Sequence, residues 1–230
     1  MTIRISYELT PTSPLYSGTP SLVTKLHRSL ENGDASNHSV ASLSCHAGTH
    51  IDTPLHFCRS GASVQEILSY GMTFCPVYCL DLPREVDQQI TVEDLRAIDH
   101  VRYRDAQAIL VRTGFWRMRD IAREDYKERN PVVDPKAATF LRSRHPALRL
   151  VGIDTISIAN AGQKDAGRAC HREFLCNDPP ILILEDADLS GEWLIRNSFE
   201  LILYPMIIGK IEATPVVALA EPIPTRGEKR

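Results

Sequence analysis

The chain has no long apolar run. Its longest, Leu201 to Gly209, is interrupted by Pro205, whereas a membrane-spanning helix needs about 20 residues. G-x-G-x-x-G, the P-loop, G-x-S-x-G and H-E-x-x-H are all missing. Dinucleotide binding, phosphate transfer and serine hydrolysis thereby lose their usual support. Excess charge is also missing. Lys and Arg total 26 and Asp and Glu 29, a net charge of -3, which builds no broad positive field for nucleic acid. Neither a nucleic acid nor a membrane is an expected partner. Cysteine is sparse, six in 230 residues with no C-x-x-C. Six is too few for a disulfide scaffold, so free thiols in a reducing cytoplasm are expected. The first residues, Met1 to Ile5, read as a strand rather than a signal peptide.

What remains is ordinary globular material. Hydrophobic residues make up 43% and charged residues 24%, which fits one folded domain over residues 1–230. Residues 10–36 are rich in Pro, Ser, Gly, Thr and Asn and read as a long loop. Residues 113–134 and the tail from Thr225 read as further loose segments. Elsewhere strands and helices alternate. Strands are expected at Cys75–Leu82, Ala106–Val111, Leu148–Ile153, Ile181–Leu184 and Leu201–Leu203. Helices are expected after the Thr91 cap, over Asp134–Leu141 with Pro135 at its first position, and over Ala166–Leu175. Ile3–Leu9 and His38–Asp52 look strand-rich. The pattern predicts an α/β fold with a mixed sheet.

One stretch carries chemistry: Cys45-His46-Ala47-Gly48-Thr49-His50-Ile51-Asp52-Thr53-Pro54-Leu55-His56-Phe57. His46, His50, Asp52 and His56 all fall on even positions, and in extended backbone residues two apart face the same way. A straight strand at ~3.3 Å per residue would still set His46 and His56 more than roughly 30 Å apart. Metal ligands sit ~2 Å from a shared ion, so the ribbon must bend. Gly48 and Pro54 supply the places to do so. Three imidazoles and a carboxylate suit Zn, and also Mn, Fe or Ni. Cys45 and Cys58 read as small buried fillers rather than ligands. His171, on the helix expected after Ala166, and Glu185, at the mouth of the sheet after Ile181–Leu184, are candidates for a second cluster. His27, His38, His100 and His145 have no comparable context and read as surface residues.

The string His46-Ala47-Gly48-Thr49-His50-Ile51-Asp52-Thr53-Pro54-Leu55-His56 resembles the H-x-G-T-H-x-D-x-P-x-H signature of the bacterial kynurenine formamidase and cyclase-like family of metal-dependent hydrolases. Val151 to Ile158, His171 to Leu175, Ile183 to Glu185 and Leu110 to Gly114 extend the likeness. The resemblance implies a swivelling β/β/α fold and a homodimer or homotetramer. It implies that His46, His50 and Asp52 hold one metal, and that Asp52 bridges to a second held by His171 and Glu185. It assigns proton transfer to His56. The implied cofactor is one or two divalent ions, Zn foremost and Mn next, and the implied substrate is a small aromatic amide resembling N-formylkynurenine. Two positions depart from the family pattern. Tyr16 stands where a Trp stacks on substrate, and Ala159-Asn160 follow Ile158 where an acidic residue is usual. A related lactam hydrolase of the isatin type, a cyclase or dehydratase, and a metal-dependent binding protein are the competing readings. Tyr16 and Trp116, beside Phe115, are expected to wall the aromatic pocket.

Overall fold

The computed structural model describes residues 2–67, 72–98 and 100–223. The tail from Thr225 to Arg230 lies outside them. The strands are β1 Ile3–Arg4, β2 Val23–Arg28, β3 His38–Ser42, β4 His50–Asp52, β5 Thr73–Asp81, β6 Gln89–Ile90, β7 Ala108–Arg112, β8 Val132–Val133, β9 Leu150–Ile153, β10 Leu182–Glu185, β11 Phe199–Pro205 and β12 Ala213–Pro222. The helices are α1 Val64–Ile67, α2 Val92–Arg96, α3 Met118–Ile121, α4 Arg123–Glu128, α5 Pro135–Arg144, α6 Lys164–Leu175 and α7 Glu192–Arg196.

Eight strands form one sheet in the order β1-β12-β11-β5-β7-β9-β10-β4. Its centre, β5-β7-β9-β10, is parallel. Strands β7, β9 and β10 are short apolar runs buried along their whole length, as parallel strands covered on both faces must be. One face packs with Leu194 of α7 and with Leu201 and Ala218 of β11 and β12. The other carries Ile109, Val151 and Ile183 against Leu141 of α5 and Phe174 of α6. The mixed sheet expected from the sequence closes on itself because β12 is long enough to serve two edges. Its first residues, Ala213 to Pro215, pair with β4, and its remainder pairs with β11 and β1. Strand β4 thus sits between β10 and β12, with Glu185 directly opposite His50. No helix among the described residues is long and apolar enough to cross a membrane.

Several local expectations need correction. Within the supposed loop 10–36, Val23–Arg28 pairs with His38–Ser42 as a two-stranded hairpin whose residues are all exposed. Neither strand has a buried face, so no apolar alternation marks Val23–Arg28 as a strand. The supposedly loose segment 113–134 contains a 3-10 turn, α3, α4 and β8. Strand structure at the start is limited to Ile3–Arg4. Cys58 and Cys176 are not free thiols but a disulfide, with Cα atoms 5.7 Å apart and 118 residues of separation. Cys45, Cys79 and Cys170 are free thiols. His145 is buried, not on the surface. Its Nδ1 meets the Tyr103 carbonyl at 2.9 Å and its Nε2 lies 3.1 Å from His100 Nδ1. His27 and His38 are exposed and face each other across the hairpin.

Candidate metal centre

The ribbon 46–56 bends at both ends. His46 sits in the turn before β4, His50 and Asp52 lie on β4, and Pro54–His56 is a 3-10 turn entered through Pro54. At Gly48 the backbone is left-handed (φ 62°), and a side chain there would collide with Leu9. Only glycine meets both conditions easily. Helix α6 brings His171 from the other side. It can approach because Gly167 has no Cβ to strike Ala159.

The structure brings all six predicted histidine and carboxylate residues together. Asp52 is at the centre. His46 Nδ1 is 3.1 Å from its Oδ1, His50 Nε2 3.5 Å from the same oxygen, His171 Nε2 3.8 Å and His56 Nε2 3.9 Å from Oδ2. Glu185 closes the other side, 3.4 Å from both His50 Nε2 and His171 Nε2. Two triplets have ligand atoms within 4.8 Å of one another: His46, Asp52 and His56, and His50, Asp52 and Glu185. Asp52 belongs to both, as a bridging residue would. The grouping otherwise differs from the implied one: His56 joins the first triplet, 3.9 Å from Asp52, and neither triplet includes His171.

The donor set fits a divalent ion. His50 Nε2 and both oxygens of Asp52 are buried with no hydrogen-bond partner, an arrangement that costs free energy unless something else satisfies them. Both buried imidazoles are oriented from behind. His50 Nδ1 donates to the Gly48 carbonyl at 2.8 Å and His171 Nδ1 to the Gly167 carbonyl at 2.8 Å, which aims each Nε2 at the carboxylates. A backbone carbonyl behind the ring is the usual support of a metal-bound histidine. Glu185 is fixed in turn by the Ser157 hydroxyl and the Ile158 N–H, each 2.8 Å away.

Electrostatics follow from this crowding. Burial would lower the pKa of His50, but Glu185 and Asp52 outweigh it and push it up to about 9. His171 is raised for the same reasons, chiefly by Glu185. Burial would raise Glu185, yet His171 and His50 hold it well below the usual carboxylate range. His56 moves the other way. Burial depresses it, aided by the neighbouring His46 and His171.

A cavity of about 420 Å3 opens beside the cluster, walled by Tyr16, Thr19, Phe57, Ser157, Ala159, Lys164 and Arg168 in addition to the histidines. Tyr16 takes the expected place. Trp116 is not among the lining residues. Arg117 covers its ring at 4.7 Å, and its neighbour Phe115 stacks on Tyr126 inside the fold. Sequence reasoning missed Lys164 and Arg168, although both fall at helical spacing before His171. It also missed Glu212, whose Oε1 is 3.4 Å from His46 Nε2; Glu212 arrives from the β11–β12 connection and has no local signal.

Known proteins resemble this chain along most of its length. The kynurenine formamidase of Geobacillus thermodenitrificans is 29% identical over 217 residues, covering 94% of this chain and 95% of that protein. Isatin hydrolase A from Labrenzia aggregata, solved with benzyl benzoate bound, superposes with a TM-score of 0.78 at 21% identity, over 96% of this chain and 93% of the other. Isatin hydrolase A from Ralstonia solanacearum gives a TM-score of 0.81 at 18% identity, over 97% and 92%. The sequence profile of the family described as "Putative cyclase" matches residues 3–160, which include the whole bent ribbon. The chain therefore belongs to the cyclase family.

Proposed function

We propose that the protein is a metal-dependent amidohydrolase that cleaves the C–N bond of an aryl formamide or a related aromatic amide. The observation that carries this reading is the buried Asp52, with no hydrogen-bond partner at either oxygen and ringed by four imidazoles and Glu185. His46, His50, Asp52, His171 and Glu185 are the residues that would hold one or two divalent ions, with Zn the first choice and Mn the second. A bound ion supplies Lewis acidity at the amide carbonyl and brings the pKa of water from 15.7 to about 7.

The chain's own groups do the rest. In the overall reaction water oxygen joins the carbonyl carbon, the C–N bond breaks, and the leaving nitrogen gains a proton. His56 is suited to carry that proton. It lines the cavity, and its lowered pKa keeps it neutral near pH 7, able to accept a proton and then deliver it. Tyr16 and Phe57 offer apolar ring surface for an aromatic substrate. A lactam of the isatin type presents the same aryl-linked carbonyl, and Tyr16 in place of Trp keeps that ring-opening reaction as the second reading.

The deciding experiment is elemental analysis of the purified protein, followed by assays of metal-depleted and reloaded samples on formanilide and isatin. Hydrolysis restored by metal supports the proposal. Metal bound with no hydrolysis of either would replace it with a metal-dependent binding protein. Assembly with a second copy is part of the same proposal. Strands β2 and β3 of the hairpin have no buried residue and show Val23, Leu26 and Val40 to solvent, and an isolated two-stranded hairpin is marginal in water. Light scattering should give a dimer or tetramer; a monomer would refute this part.

A further inference from the structure

Away from the cluster, the cavity wall is unusual in its charge. Lys164 and Arg168 both line it, and the only carboxylate in the lining is Glu185, which already belongs to the histidine cluster. Among the described residues Arg168 has one carboxylate partner, Asp165 at 3.3 Å, in a pair that is mostly exposed on both sides. The Lys164 ammonium has no carboxylate partner among the described residues. Helical spacing orders these groups. Lys164, Arg168 and His171 are separated by four and three residues and share one face of α6. At ~1.5 Å per residue they form a stripe of about 10 Å from the cavity mouth to the cluster.

We infer that Lys164 and Arg168 form an anion subsite, and that the substrate is an aromatic amide bearing a carboxylate at the end of the ring remote from the scissile bond. This rests on the amidohydrolase reading and narrows it. With the amide at the cluster, a benzene ring spans the gap so that a group at its far end meets the two cations. An ammonium there would meet like charge from Lys164 and Arg168, the two cations that line the wall, so a simple acid fits this wall better than an amino-acid zwitterion. Aromatic surface from Tyr16 lies between the two ends.

The test compares three formanilides on the metal-loaded protein: the parent compound, its para-carboxy derivative and its para-aminomethyl derivative. The expected order of kcat/KM is carboxylate, neutral, ammonium, with the carboxylate ahead of the parent by about five- to tenfold at low salt, the scale of two exposed charge pairs. The preference should shrink as salt rises. In Lys164→Gln/Arg168→Gln it should vanish, mainly through KM for the carboxylated compound, and Lys164→Arg should retain it. Calorimetry with the hydrolysis products, para-aminobenzoate against aniline, reads the subsite without turnover. Equal rates for all three compounds, or a preference for the ammonium, overturn the inference while leaving amide hydrolysis standing. No turnover, but tighter binding of para-aminobenzoate that depends on Lys164 and Arg168, overturns the aryl-formamide reading and keeps the anion subsite. Absence of both overturns both.

Discussion

Glu185 and Asp186 are adjacent in sequence, both buried, and opposite in circumstance. Glu185 faces the histidine cluster, where Asp52 has no hydrogen-bond partner at either oxygen. Asp186, at a left-handed backbone position (φ 50°), is fully engaged. Its Oδ1 accepts from Arg119 Nε at 2.9 Å and from the Tyr126 hydroxyl at 2.6 Å, and its Oδ2 accepts from the other arm of the guanidinium at 3.0 Å. Arg119 in turn lies 3.8 Å from the centre of the Tyr7 ring. Both clusters bury charge in one small protein. One is complete without help, and the other has donors pointing at each other across a gap. The first is a structural ion pair, and the second brings together the donor set that a cation site requires.

That contrast can be broken in either direction. The largest effect is expected from Asp52→Asn, which should remove metal uptake and turnover together while leaving the metal-free fold as stable as before or more so; loss of stability with metal retained would reverse the assignment. His56→Ala should keep metal, by elemental analysis, and lower kcat by about 10²–10⁴-fold, the usual contribution of a general acid–base group. An unchanged rate would remove His56 from proton transfer. On the other side, Arg119→Met strands the Asp186 carboxylate and should cost about 3–5 kcal/mol in urea unfolding, as expected when one partner of a buried pair is removed. The variant that still folds should bind metal normally.

The smallest effect is the pH dependence of metal stabilisation. His50 is raised to about 9 in the metal-free fold, above the ordinary 6.5. Its proton therefore stabilises the metal-free protein fully below about 6.5, and this contribution is lost as pH rises through about 9. A metal must displace that proton. The rise in Tm on adding Zn should grow between pH 6.5 and 9; a constant rise would show that protons and metal do not compete at this imidazole.

How much of this could be read from the chain depends on sequence distance. The bent ribbon was legible because four donors fall within eleven residues at one parity, and because Gly48 and Pro54 mark the bends. The central apolar strands and the Thr91 and Asp134 caps were legible for the same local reasons; Thr91 and Asp94 form a reciprocal capping box, and Asp134 accepts from the Lys136 N–H. His171 and Glu185 stood out only weakly alone and gained roles from resemblance. The Asp186 group was invisible because Arg119 and Tyr126 are 67 and 60 residues away. The first strand of the hairpin, Val23–Arg28, reads as loop because its apolar residues have no buried side to alternate against, whereas the stretch from His38 reads as strand-rich. Trp116 was misplaced because an aromatic pair beside a glycine looks the same whether it faces a ligand or the core.

The bond between Cys58 and Cys176 joins two places that matter. Cys58 follows His56 by two residues, and Cys176 caps the helix that carries His171. The crosslink fastens the exit of the ribbon to the end of that helix, so the walls of the cleft are held by one continuous covalent frame. Thiol reductants are therefore reagents that reach the floor of the cleft without entering it, by unfastening the corner where its two sides meet.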